Sequence, residues 1–305
     1  MNFSDHLSAL IYLKNKVSRW KNIALLAIIA FVFLVIKVWF DVDSDVMGTE
    51  YIAEIKVEGV IVEDDHRSKV LKELATNNAV KAVIVRFNSP GGTIVGSEIL
   101  YQELLKIKAN KPIVALIESV GASGAYLAAL ASDYIIAYNG TLTGSIGVLM
   151  ESPEIVELAN KVGVKMNSFK SSPLKGSPSM FEKTSLQTES VIKDSIADSY
   201  SFFMELVKKS RSKRLDAKNY NIVFDGRVFT GRQALAMGLI DSVGGMEDVE
   251  KALIIYKINP KIVPIREVET VKKEYKLFDH FFNKLPFFHE FKNLANANKI
   301  MAIMP

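Results

Sequence analysis

The 305-residue chain contains no cysteine. That excludes a disulfide framework, a thiolate nucleophile and a cysteine-ligated zinc site. Histidine is scarce, and His6, His66, His280 and His289 are the whole supply. His66 stands in Glu63-Asp64-Asp65-His66-Arg67, which reads as a solvated charged loop, so a histidine base has few places to come from. The Gly121–Ala125 region has no tandem repeat. The formal charge of +4 is mild and gives no argument for nucleic acid.

One long apolar run is present, Ile23 to Phe40, broken only by Lys37. It is just long enough to cross a bilayer, with Lys37 near its end and Trp20 and Trp39 as interfacial anchors. Lys14, Lys16, Arg19 and Lys21 precede it; Asp41, Asp43 and Asp45 follow. The positive-inside rule then predicts a cytoplasmic tail over 1–21, a membrane helix over 22–40 and a linker over 41–50. The rest of the chain would lie outside the inner (cytoplasmic) membrane. Lys37-Val38-Trp39-Phe40 offers no small-residue cleavage site, which argues for a retained single-pass anchor over a removed signal peptide.

From Tyr51 onward, apolar runs of strand length alternate with helical spacing. Strands are predicted at 51–57, 59–62, 82–87, 112–117, 134–137 and 165–169. Helices are predicted at 68–76, 95–108, 126–132, 153–162, 185–213, 231–237 and 247–254. Alternating β and α predicts a layered α/β domain with a mostly parallel sheet, over 51–260. Ligand sites in such sheets sit beyond the carboxyl ends of the strands. Residues 261–305 form a separate extension rich in phenylalanine, with Phe278, Phe281, Phe282, Phe287, Phe288 and Phe291 among Lys276, Lys284 and Lys292. It suits a membrane surface or a neighbouring subunit about equally.

The chemistry gathers where predicted strands end. The run Pro112 to Ile117 leads into Gly121-Ala122-Ser123-Gly124-Ala125, and a small-residue helix leads out. Ser123 thus falls at a strand-to-helix turn, where free backbone amides favour developing negative charge. Taken alone, a serine there is more often a helix cap than a nucleophile. The strand 82–87 runs into Asn88-Ser89-Pro90-Gly91-Gly92, whose paired glycines let amides turn toward a ligand, as an oxyanion hole requires. Downstream come Thr143-Gly144-Ser145-Ile146-Gly147 and Lys170-Ser171-Ser172-Pro173-Leu174-Lys175.

In this order, and with Asp225-Gly226-Arg227-Val228-Phe229-Thr230-Gly231-Arg232, these motifs resemble the signal peptide peptidase A family over roughly residues 50 to 255. That family comprises membrane-anchored serine proteases with a Ser–Lys dyad, on a layered fold related to Clp peptidase and crotonase. The resemblance implies that Ser123 is the nucleophile, Lys175 the general base and Ser145 the hydroxyl that orients the lysine. It implies an oxyanion hole from the Gly91–Gly92 turn and the Gly124 N–H, with no metal and no cofactor. It further implies the short, single-domain form, hydrophobic peptide substrates such as signal-peptide remnants, and a ring-shaped homo-oligomer.

A lysine base must be neutral when chemistry begins. Its usual pKa of about 10.4 must fall by roughly three units, through burial and the absence of a counter-charge. Pro173, Leu174, Gly176, Ser177 and Pro178 bring no carboxylate to Lys175. Two other functions fit part of the pattern: an acyl-CoA enzyme of crotonase type, which shares the glycine-turn logic but would lack CoA outside the cytoplasm, and an inactive membrane scaffold.

Overall fold

The computed structural model describes residues 49–271, together with 14, 16, 17 and 19–32. The chain divides into two units, Met1–Thr49 and Glu50–Pro305. In the first, residues 19–32 are helical (α1) and exposed. Among the described residues no helix is long and apolar enough to cross a membrane. The expected span 22–40 continues past Val32, and its remainder, like linker residues 41–48, lies outside the described residues.

The second unit is built on an eight-stranded sheet. Its elements are β1 (Tyr51–Ile61), α2 (Asp65–Thr76), β2 (Val80–Gly92), α3 (Ile94–Lys108), β3 (Ile113–Ala122), α4 (Gly124–Ala129), β4 (Tyr134–Ala137) and β5 (Leu142–Gly144). Then follow α5 (Val156–Lys161), α6 (Leu186–Arg211), α7 (Tyr220–Val223), β6 (Val228–Thr230), α8 (Gly231–Ala236), β7 (Ser242–Val243), α9 (Met246–Ile255) and β8 (Ile265–Glu267). The main order is β6-β5-β3-β2-β1-β8, with β4 beside β3 and β7 beside β4. All pairings are parallel except β5–β6. β8 draws the sheet into the region expected to be an extension, of which 272–305 lies outside the described residues.

Strand alternation sends Ala53, Ile55, Val57, Val83, Val85, Phe87, Ala115 and Ile117 to one face, where α2, α3, α4 and α6 bury them with Leu71, Leu100, Leu104, Tyr126 and Phe203. On the other face Ile52, Ile84, Val114, Leu116 and Ile136 pack against Val249 and Leu253 of α9. Past the reach of α9 that face turns polar. There Arg86 donates from Nε to Glu118 (3.0 Å) and from Nη1 to Glu54 (2.9 Å), matching charge across three adjacent strands.

β3 is the pivot. Its first half pairs with β4 (Val114↔Tyr134 to Ile117↔Ala137) and its second half with β5 (Val120↔Leu142 to Ala122↔Gly144). The β4–β5 connection therefore brings the Thr143–Ser145 stretch alongside the end of the strand that delivers Ser123.

Several expectations need correcting. Residues 51–57 and 59–62 are not two strands: β1 runs through Gly59, at φ 68°, with a register shift between Glu58 and Val60. β2 does not stop at Phe87 but continues to Gly92. Residues 165–169 form no strand. Val164, Met166 and Phe169 there are exposed, Phe169 at 97%, so no sheet neighbour satisfies them.

Candidate active site

Ser123 follows the last residue of β3 and precedes α4, as the sequence predicts. Its φ of 53° and ψ of −124° lie in a region that a side chain disfavours. Such a backbone costs about 1–3 kcal/mol and persists only where the surroundings enforce it. The enforcing contacts are visible. Ser123 N donates to Gly144 O (2.8 Å), and Leu127 N donates to Ser123 O (2.9 Å). The hydroxyl makes no capping bond to α4, so Ser123 is not acting as a side-chain cap. α4 is only six residues long, so individual amides count here for more than a helix dipole.

The glycine turn lies against this serine. A Cβ on Gly91, whose φ is 107°, would stand 2.8 Å from Gly124 N and 3.0 Å from Ser123 Cβ. A Cβ on Gly124 would stand 3.3 Å from Gly92 N. The Gly92 and Gly124 amides thus lie close to one another beside Ser123. As the first residue of α4, Gly124 has no intrahelical acceptor for its N–H. Gly91 N instead donates to Ser89 Oγ (3.1 Å), so Gly91 contributes close approach while its own amide is spoken for. Gly92 is fixed from behind, since a Cβ there would fall 1.8 Å from Ile61 O.

Ser145 is half-buried and also left-handed, at φ 50°. Its N–H donates to Arg227 O (2.9 Å). This explains the Asp225–Arg232 motif. Arg227 Nε bonds Asp225 Oδ2 (2.7 Å), which holds the Asp225 carboxyl below the usual carboxylate range and raises the guanidinium. β6 then pairs antiparallel with β5, and Phe229 packs on Gly144, where a Cβ would lie 2.7 Å from the ring. Thr143 Oγ1 ties β5 back to Gly121 O (2.7 Å).

Lys175 belongs to the segment between α5 and α6. It occupies a turn in which its N–H donates to Ser172 O (3.1 Å), and its side chain is exposed. Among the described residues it forms no ion pair, whereas Lys170 pairs with Glu182. The segment that precedes it in the chain, from Leu149 to Phe169, exposes Leu149, Met150, Leu158, Val162 and Met166, and α5 buries no residue. The structure therefore brings Ser123, Gly91, Gly92, Gly124 and Ser145 together, and places Lys175 in an exposed turn of the segment between α5 and α6. Among the described residues no cluster of acidic or histidine side chains could hold a metal.

Sequence reasoning missed two contributors. Ser89, beside the glycine pair, anchors the turn. Ser97 of α3 is 1% exposed, and a Cβ on Gly124 would fall 2.0 Å from its hydroxyl. A serine four residues past the Thr93 cap was the only signal for it, and helix periodicity alone does not mark such a serine as a neighbour of Ser123.

Comparison with known proteins fits this geometry. The family model described as "Peptidase family S49" matches residues 106–256, a span that includes Ser123, Ser145 and Lys175. "Putative protease slr0021" of Synechocystis is 36% identical over 224 residues, 72% of this chain and 80% of that protein. "Protease 4" of Haemophilus influenzae is 33% identical over 66% of this chain, which spans only 34% of that longer protein. "Serine protease SPPA, chloroplastic" of Arabidopsis thaliana is 32% identical over 66% of this chain and 29% of its own length. A solved mutant of the 1510-N membrane-bound stomatin-specific protease superposes with TM-score 0.45 at 15% identity, over 73% of this chain and 99% of that one. With a mostly parallel α/β sheet and relatives of this identity and coverage, the chain belongs to peptidase family S49, a family of proteases.

Proposed function

We propose that the protein is a membrane-anchored serine endopeptidase that cleaves hydrophobic peptides by acyl transfer, with Ser123 as nucleophile and Lys175 as base. The observation that carries this reading is the strained backbone of Ser123 at a strand-to-helix turn, with the Gly92 and Gly124 amides close to one another beside it. Fixed donors aimed at charge that appears only in the transition state are a large source of rate enhancement. The strand order, with its site at carboxyl strand ends, supports a layered fold of the Clp/crotonase kind. Membership of a peptidase family favours peptide-bond hydrolysis over acyl-CoA chemistry.

Ser123 Oγ attacks the peptide carbonyl carbon, and its proton passes to Lys175 Nζ. The Gly92 and Gly124 amides hold the resulting oxyanion. Collapse of the intermediate breaks the C–N bond, and the leaving amine takes the proton from Lys175. Water then attacks the acyl carbon, gives a proton to Lys175, and releases the acid as the proton returns to Ser123. Ser145, beside Gly144, orients the amine.

Lys175 must be shielded from water to serve as a base. In the single chain it is exposed, and the apolar side chains of the segment before it are uncovered. We therefore infer that a second copy covers this region in a homo-oligomer. The basic residues before the apolar run support anchoring with the protease domain on the extracytoplasmic face, where lipid-embedded signal-peptide remnants would be the substrates.

The test is cleavage of a fluorogenic apolar peptide together with labelling by a fluorophosphonate. Ser123→Ala and Lys175→Ala are each expected to lose about 10⁴-fold or more in kcat, since members of a catalytic unit fail together. Labelling is expected at Ser123 alone. Full activity in Lys175→Ala would overturn the dyad.

A further inference from the structure

Ser97 is a buried group for which the reaction described above has no use. It lies in the second turn of α3, is 1% exposed, and its hydroxyl has no hydrogen-bond partner. The other hydroxyls close by are committed. Thr93 Oγ1 caps α3 by accepting from Gly96 N (3.0 Å), Ser89 Oγ accepts from Gly91 N, and Thr143 Oγ1 donates to Gly121 O. An unpaired buried hydroxyl is a standing cost that alanine would remove. Its location is specific: the point 2.0 Å from Ser97 Oγ and 2.9 Å from its Cβ is also 3.3 Å from Gly92 N and within bonding distance of Gly124 Cα. Ser97 therefore lies against Gly124, on the side of that glycine that also faces the Gly92 amide.

We propose that Ser97 is a positioning residue of the oxyanion site. Its side chain sets the gap across which the Gly92 and Gly124 amides face a single charge. Its O–H dipole, uncommitted in the resting chain, turns toward that charge as it forms. A hydroxyl already donating to a carbonyl would first have to break that bond; this one has none to break. The interaction is then stronger in the transition state than in the ground state, which is the condition for lowering a barrier. The proposal rests on Ser123 being the nucleophile.

The test uses the full-length protein and three variants. Ser97→Ala keeps the volume close and removes the dipole. Its kcat is expected to fall about tenfold, less than the 10²–10³ of a direct oxyanion donor, with KM unchanged. Its affinity for a peptidyl aldehyde, which forms a hemiacetal oxyanion with Ser123, should weaken by the same factor. Thermal stability should hold or rise, since no hydrogen bond is lost. Ser97→Thr adds a methyl against Gly124 and should cost more in kcat than Ser97→Ala. A merely structural Ser97 would leave kcat and aldehyde affinity at wild-type values in Ser97→Ala, and that result overturns the proposal. Ser123→Ala separates the two ideas: if it retains activity the nucleophile assignment fails, whereas an inactive Ser123→Ala beside a fully active Ser97→Ala sinks the Ser97 proposal alone.

Discussion

Gly124→Ala probes the site with the smallest possible change. Gly124 has no positive φ, so an alanine meets no backbone objection, and a helix position gains about 1 kcal/mol in propensity from the exchange. The objection is spatial. The new methyl would lie 2.0 Å from Ser97 Oγ, 2.9 Å from Ser97 Cβ and 3.3 Å from Gly92 N. Rotating the Ser97 hydroxyl clears the first contact. The second remains, because carbons rest at about 3.5–4.0 Å, and neither Cβ can move without its helix. The start of α4 must then shift from α3 by about 0.6–1 Å to reach that separation. Overpacking of this kind costs about 1–3 kcal/mol, partly offset by the propensity gain, so Tm should fall by only a few degrees. Activity should suffer far more, because the Gly124 amide moves relative to the Gly92 amide, and a misplacement of about 1 Å costs on the order of 100-fold. Differential scanning calorimetry and kcat on an apolar fluorogenic peptide measure the two effects side by side. Adding Ser97→Gly removes both obstructing atoms and should recover most of the lost rate, down only by what Ser97 itself supplies. A Gly124→Ala protein with wild-type kcat, or a double variant no better than the single one, would refute the geometry.

Three further outcomes are expected. Gly92→Ala should destabilise more than Gly124→Ala, because its methyl would meet the backbone of Ile61 at 1.8–2.6 Å, and should lower both the urea midpoint and kcat. Asp241→Ala should cost about 3–5 kcal/mol in urea unfolding, since it strands the buried Arg211 guanidinium and removes the acceptor for Ile135 N (2.7 Å); a loss under 1 kcal/mol would contradict the buried pairing. Asp248 bonds Lys251 and accepts from Gly245 N, and both hold its pKa below the ordinary 3.8. Its contribution is therefore full above that value and lost as pH falls through the lower folded value, so the Tm deficit of Asp248→Asn at neutral pH should vanish in strong acid; a deficit independent of pH would count against it.

The parts of the molecule that could be read from sequence are those where local pattern and tertiary environment agree. β4 and the starts of α6 and α8 fall within a residue or so of expectation, because a β-branched run, the Ser185 cap and the Thr230–Gln233 capping box each act locally. The continuation of β2 through Ser89 to Gly92 was hidden, since proline and paired glycine normally end a strand; here β1 and β3 hold the segment from both sides. β6 and β8 are three residues each and exist only because a neighbour accepts them. The Val164–Phe169 run carries strand-like residues with nothing among the described residues to pair them. At the site, Ser123 and its glycines were legible as motifs. Ser89 and Ser97 were not: a serine beside a Pro-Gly turn is ordinary, and the worth of Ser97 depends on Gly124, more than 25 residues away, whose missing side chain makes room for it.

The two halves of the proposed dyad obey different physics. The serine half is preorganised: two left-handed serines, a glycine pair against Gly124, and the Arg227–Ser145 tie fix it to the end of the sheet. Little about it needs to change on substrate binding. The lysine half is exposed and follows a segment whose apolar side chains face water. The proposed mechanism needs an uncharged amine to take the serine proton, so whatever covers this region would also enable the proposed base. Covering Leu149, Met150, Leu158, Val162, Met166 and Phe169 would remove enough apolar surface from water to favour association by several kcal/mol before ordering costs. The same burial would lower the lysine's affinity for its proton. On the reading proposed above, assembly and base activation would be one event, and a nucleophile built rigidly into each chain would stay inert until then.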